Sequence, residues 1–168
     1  MEAHELINQT SGEVEYYTPP EIIAAARRCM GQIDLDPASS DLANIRIGAT
    51  KYFTEAENGL DWVWPGNVWM NHPFGRKENP LWINHLMREF SSGRIASFCC
   101  ITYACTSEAW FQPLFKFRQC FLSPRTNYYL PDGTVKPGVT KGSVVTFGSR
   151  KVNEEWFDKC FEHLGYCK

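Results

Sequence analysis

The sequence predicts an α/β fold, a largely parallel sheet with helices on both faces. Short apolar runs alternate along the chain with stretches of helical period, the pattern of strand–helix–strand units. The run at 95–102 is apolar almost throughout, as a strand covered on both sides must be. A shorter run, Val68-Trp69-Met70, stops abruptly at Asn71-His72-Pro73-Phe74-Gly75-Arg76. With 168 residues the chain has the size of one domain. Residues 1–15, acidic and polar, read as a loose lead-in, and 16–168 as the folded unit.

The first helix is expected after Tyr17-Thr18-Pro19-Pro20-Glu21. Thr18 suits an N-cap, the prolines suit the first turn and Glu21 completes a capping box. Ile22, Ile23, Ala26, Cys29 and Met30 give it an apolar face, and Gly31 stops it. A short strand at 33–36 runs into Pro37-Ala38-Ser39-Ser40. Residues 41–48 give no clear signal. Asn58-Gly59 marks a turn before the central strand. Residues 80–90 form an amphipathic helix with Trp82, Ile83, Leu86, Met87 and Phe90 inward. After the long apolar strand, 108–115 is expected helical, kinked or shortened by Pro113. Strands follow at 119–122 and 143–147. The loop between them turns at Pro131-Asp132-Gly133. Asn153 caps a last helix with Trp156, Phe157, Cys160, Phe161 and Leu164 inside.

The net charge of −2 hides an asymmetry. Residues 1–84 carry 6 Lys/Arg and 12 Asp/Glu, whereas 85–168 carry 11 and 7. Between 116 and 151 seven basic residues face Asp132 alone. Cations interleaved with aromatics there, Arg125, Tyr128, Tyr129, Lys136 and Lys141, suit phosphate and base contacts. The alternative is a solvated surface loop. No apolar run is long enough to span a membrane, and no signal-peptide pattern opens the chain. Seven cysteines, two of them adjacent inside an apolar run, read as reduced intracellular thiols packed as small hydrophobes. Cys160, His163 and Cys167 have metal-like spacing but lack a second ligand pair, so no metal is expected. No G-x-G-x-x-G or Walker-type loop occurs.

In open α/β sheets ligands sit beyond the carboxyl ends of strands, where Asn71 stands. Its side-chain oxygen and the His72 carbonyl are two neutral acceptors, and Phe74 offers a flat face. That set suits a planar ring with an exocyclic amine, such as adenine. Asp36, a carboxylate at a strand end beside small residues, suits an amino or hydroxyl group of a nucleoside. It serves equally as an Asp-Pro turn. Asp61 either reaches a ligand amine or caps a turn.

Taken in order, these motifs resemble the phage-type DNA N6-adenine methyltransferase family. The matching residues are Tyr16-Tyr17-Thr18-Pro19, Asp34-Leu35-Asp36-Pro37-Ala38-Ser39-Ser40, Tyr52-Phe53-Thr54, Asn58-Gly59-Leu60, the segment from Val68 to Arg76, and Trp110-Phe111. The family's Asn-Pro-Pro-aromatic motif is Asn-His-Pro-Phe here. His72 keeps the backbone carbonyl and loses the fixed φ of proline. The resemblance implies a compact Rossmann-like fold, S-adenosylmethionine as cofactor and DNA as partner. It implies a cytoplasmic location in a bacterial host and a phage or prophage origin. It assigns catalysis to Asn71, His72, Pro73 and Phe74. Cofactor binding falls to Tyr17, Thr18, Pro19, Asp36, Pro37, Ala38, Ser39 and Asp61. Arg76, Arg125, Lys136 and Lys141 are expected on DNA. Two alternatives stay open. One is a catalytically silent nucleic-acid-binding relative. The other is a methyltransferase for another planar amine, such as cytosine N4 or a glutamine amide.

Overall fold

The computed structural model describes residues 16–136 and 139–168. The 1–15 lead-in lies outside them. Their strands are β1 (Leu35–Asp36), β2 (Lys51–Tyr52), β3 (Gly66–Met70), β4 (Ile95–Tyr103), β5 (Arg118–Leu122), β6 (Ser143–Ser149) and β7 (Gly165–Cys167). The helices are α1 (Pro20–Met30), α2 (Asp41–Ile47), α3 (Glu78–Ser91) and α4 (Glu154–Phe161), with single 3₁₀ turns at Gly59–Asp61 and Gln112–Lys116.

The strands form one sheet in the order β2-β1-β3-β4-β6-β5-β7. The β2–β1, β1–β3 and β3–β4 pairings are parallel. The β4–β6, β6–β5 and β5–β7 pairings are antiparallel. The expectation of a mostly parallel sheet therefore needs correction. β6 returns beside β4 after the 123–142 segment, which holds no crossover helix among its described residues, and an uncrossed return must pair antiparallel.

Helices do lie on both faces, and the period of two along the strands assigns them. Trp69, Cys99 and Ile101 point to a core with Ile22, Ile23 and Ala26 of α1 and Phe157, Cys160 and Phe161 of α4. Val68, Met70, Phe98 and Cys100 point the other way, toward Trp82, Ile83 and Leu86 of α3. All seven cysteines are free, and five are fully buried.

Several local expectations change. Residues 41–47 are helical, capped by Ser40, whose hydroxyl accepts the Ala43 N–H at 3.0 Å, and closed by Gly48 at φ 67°. The 108–115 stretch is not an α-helix; only the turn Gln112–Lys116 forms, because Pro113 cannot donate inside a longer one. Thr18 does not cap α1: the N-cap is Pro19, with no side-chain hydrogen bond. The Thr18 hydroxyl is bound elsewhere. Trp156 stays 37% exposed on the outside of α4, under the Arg28 guanidinium. Asn153 does cap α4, accepting the Trp156 N–H at 2.8 Å. Among the described residues no group of three or more His, Cys, Asp or Glu converges as a metal site, Cys160, His163 and Cys167 included. No helix among them is long and apolar enough to cross a membrane.

Candidate active site

Topology opens a crevice where the chain leaves β1 toward one edge of the sheet and leaves β3 toward the other, the usual place for a ligand in such sheets. A cavity of about 500 Å³ lies there. Its walls come from Tyr16 to Thr18, the turn after β1, the segment after β3, and Tyr103 at the end of β4. That volume is in the range of small-molecule sites.

Asn71 is half-buried and lines the cavity. Its side-chain N–H₂ donates to Thr18 Oγ1 at 3.0 Å and, at longer reach, to the Tyr16 carbonyl at 3.5 Å. A carbonyl can only accept, so these contacts fix which end of the amide faces the entry segment. The Thr18 hydroxyl is thus used to orient Asn71 rather than to start α1.

His72 is 2% exposed, its ring edge-on to Phe74 at 5.3 Å and roughly parallel to Trp82 at 6.4 Å. Nε2 lies 2.7 Å from Asn79 Oδ1, and Nδ1 is buried with no partner among the described residues. Burial lowers the ring's pKa to about 4, against the smaller opposing pull of Asn79, so the imidazole is neutral near pH 7. Pro73 lines the cavity half-buried. Phe74 lines it too but is only 6% exposed, wedged against Tyr103 at 4.9 Å and Tyr128 at 6.2 Å. The Tyr128 hydroxyl is held by Ser143 at 2.8 Å.

Asp36 ends β1 with 1% exposure. Burial pushes its carboxyl up to about 7, against the opposing Ala38 N–H and Ser39 hydroxyl bonds. The turn it opens is pinned by the Ser39 N–H to the Phe53 carbonyl at 2.8 Å. Pro37, Ala38, Ser39 and Ser40 all line the cavity. Gly59 lies beneath this turn: a Cβ there would sit 2.0 Å from the Pro37 carbonyl oxygen.

Tyr17 and Thr18 line the cavity, whereas Pro19 and Asp61 are not among its lining residues. Asp61 is exposed in the 3₁₀ turn. The 128–136 hairpin is tied to the entry segment by a reciprocal pair of 2.8 Å bonds between Tyr17 and Tyr129. Lys136 consequently lies over the Tyr16 ring at 5.4 Å, and Lys141 over Tyr103 at 5.4 Å. Arg46 of α2 lies over both Tyr17 and Tyr129, at 5.7 and 5.8 Å. These cations stand against tyrosines at the cavity, while Arg76 and Arg125 are exposed outside its lining.

A model of the DNA N-6-adenine-methyltransferase (Dam) family matches residues 9–121, well over half of the chain. The chain belongs to that family. Among curated proteins none matches it. Dam-family enzymes methylate the N6 amine of adenine in DNA, with S-adenosylmethionine as methyl donor, and this chain is such a methyltransferase.

Several residues of this Dam-family cavity escape a linear reading. Arg46 follows from α2, which the 41–48 stretch does not announce. A capping Ser40 with Gly48 seven residues past Asp41 is the signal that finds it. Tyr103, Tyr128 and Trp82 read from sequence as core. Gly59 reads only as a turn residue, yet its lack of a side chain is what lets the Asp36–Ser40 turn sit where it does. Gly59→Ala is expected to displace that turn and to lower stability by about 1–3 kcal/mol through overpacking. Urea denaturation checks it.

Proposed function

We propose that this chain is an active enzyme whose Asn71 side chain and His72 carbonyl hold the adenine amine, on a Rossmann-like methyltransferase scaffold. The observation that carries the reading is the orientation of Asn71. Both N–H bonds of its amide are turned to Thr18 and Tyr16, which leaves Oδ1 as the end with no partner among the described residues.

The lone pair of the adenine amine is delocalised into the ring, which makes it a poor nucleophile. Two acceptors binding its two hydrogens draw the nitrogen toward a tetrahedral arrangement and concentrate that pair on one side. Neither acceptor is a base, so catalysis rests on positioning and fixed dipoles. Phe74, backed by Tyr103 and Tyr128, serves as a rigid face for the base, which must leave a duplex to reach it. The neutral, buried imidazole of His72 supports activity in spite of the missing proline, since it places no charge beside the acceptors.

S-adenosylmethionine supplies, when bound, a methyl group made electrophilic by its positive sulfur. The residues present fit this group. Asp36 is a buried carboxyl with no cation beside it among the described residues, and it takes a ligand hydroxyl or amine as its partner. Ala38 and Ser39 leave room at the backbone, and Tyr17, Thr18 and Pro37 complete the wall. Pro19 fixes the start of α1 behind Thr18 and acts only through it. Asp61, exposed outside the lining, is the weakest of the expected cofactor contacts.

Arg46, Lys136 and Lys141, with Arg76 and Arg125 further out, form the surface for DNA phosphates. Changing Lys136 and Lys141 together to glutamine should lower the slope of log binding constant against log salt by about 2 on duplex DNA. An unchanged slope in a filter-binding series places the phosphates elsewhere. The overall reading is tested by incubating the protein with DNA and methyl-labelled cofactor, then digesting to nucleosides. N6-methyl-2′-deoxyadenosine by mass is the expected product; label on cytosine, or none, rejects the assignment.

A further inference from the structure

Residue 72 must present its carbonyl at a fixed angle, yet as a histidine it has no ring locking its own φ. Something else has to hold it. The His72 side chain is tethered by its Nε2 to Asn79 Oδ1 at 2.7 Å. Asn79 stands in the first turn of α3, and its own N–H donates to the Gly75 carbonyl at 2.8 Å. The catalytic segment is therefore closed onto the start of α3 at both a side chain and the backbone. Phe74 and Trp82 flank the tethered ring.

An amide oxygen accepts only, so the proton sits on Nε2 and Nδ1 is bare. Nδ1 is buried and has no partner among the described residues, a state that costs free energy. A phenylalanine or leucine would fill the same space without that cost. What a histidine adds at this position is the one bond to Asn79.

We propose that Asn79 is a positioning residue of the methyl-transfer reaction, acting through the His72 ring to fix the carbonyl that accepts the adenine amine. The tether replaces, from the side chain, the backbone restraint that a proline would impose. This inference rests on the reading of Asn71 and His72 given above.

The test is a double-variant cycle in single-turnover methylation of an adenine-containing duplex at saturating S-adenosylmethionine. Asn79→Ala is expected to slow the chemical step about tenfold or more, the worth of one well-formed hydrogen bond realised in the transition state. The dissociation constant of S-adenosylmethionine should move less than about twofold, because Asn79 is not among the cavity lining. His72→Phe, which keeps the packing and removes Nε2, should slow the step by a similar factor. Adding Asn79→Ala to it should cost less than about twofold more. His72→Pro in the Asn79→Ala background should recover most of the lost rate, since proline needs no tether.

Equal losses from Asn79→Ala in the wild-type and His72→Phe backgrounds overturn the proposal, as does an unchanged rate in Asn79→Ala alone. If His72→Pro does not fold, the phenylalanine arm decides by itself. Asn71→Ala separates the two levels. An inactive Asn71→Ala enzyme with an additive cycle sinks the tether and spares the site, whereas an active one sinks both.

Discussion

Asn71→Ala is expected to remove methyl transfer, by about a thousandfold or more, with S-adenosylmethionine binding within about threefold of the parent. The size follows from what the amide does. In the proposed mechanism its oxygen accepts a hydrogen from an amine whose lone pair is otherwise spread over the purine, and that bond would strengthen as the nitrogen becomes tetrahedral. An interaction made chiefly in the transition state lowers the rate and leaves cofactor binding alone when it is lost. Thr18→Val refines the test. The hydroxyl that holds the Asn71 N–H₂ at 3.0 Å would be gone, while the Asn71 oxygen proposed to meet the base stays. A partial loss, about tenfold, is expected as the amide turns more freely. If Asn71→Ala turns over like the parent, the acceptor lies elsewhere.

Asp36→Asn carries the second large effect, read as a function of pH. The buried carboxyl of the free protein is raised from 3.8 to about 7. Above that value it is ionised and ready to accept a ligand hydroxyl or amine. Below it a proton must first leave. Cofactor affinity should therefore fall as pH drops under about 7, by up to about tenfold per pH unit, and Asp36→Asn should flatten that dependence. At pH 8 the asparagine variant should bind about ten- to a hundredfold more weakly, the worth of a charged hydrogen bond. Affinity independent of pH between 5 and 8 in the parent, measured by calorimetry, counts against the contact.

The same shift has a signature in stability without cofactor. Between 3.8 and about 7 the folded protein holds a proton on Asp36 that the unfolded chain has lost, so stability falls as pH rises through that window. His72 works in the opposite sense. Its folded value is lowered from 6.5 to about 4, so between those values the unfolded chain binds the extra proton and stability rises with pH. The two contributions, each about 3–4 kcal/mol at most, oppose one another from about 4 to 6.5. Asp36→Asn should unmask the histidine: urea unfolding of that variant should show stability climbing across this range more steeply than in the parent. Parallel curves for the two proteins would mean that Asp36 ionises in the fold as it does in the open chain.

The central strand and its end were legible because burial and chemistry leave marks in the linear order. Val68-Trp69-Met70 is apolar because both faces of that strand are covered, and Asn71 follows where the strand runs out. The helical faces of α1 and α3 show for the same reason, as the apolar period must match the turn of the helix. Thr18 misled because a threonine before two prolines satisfies the local rules for a cap. Only the fold brings Asn71, 53 residues away, to claim its hydroxyl. Arg46 and Asn79 were silent in the sequence, and Gly59 showed only as a turn residue. Their meaning lies in contacts across the chain: a guanidinium over two tyrosines, a missing Cβ under a proline carbonyl, an amide against a ring.

By itself the sequence determined the α/β class, the apolar faces and the position of the Asn71 segment at a strand end, because these depend on local propensity and on the period of burial. Tertiary structure alone decided the antiparallel return of β6, the direction in which the Asn71 amide points and the buried states of Asp36 and His72. Strand pairing, hydrogen-bond orientation and desolvation are properties of neighbours in space, and the order of residues along a chain does not name those neighbours.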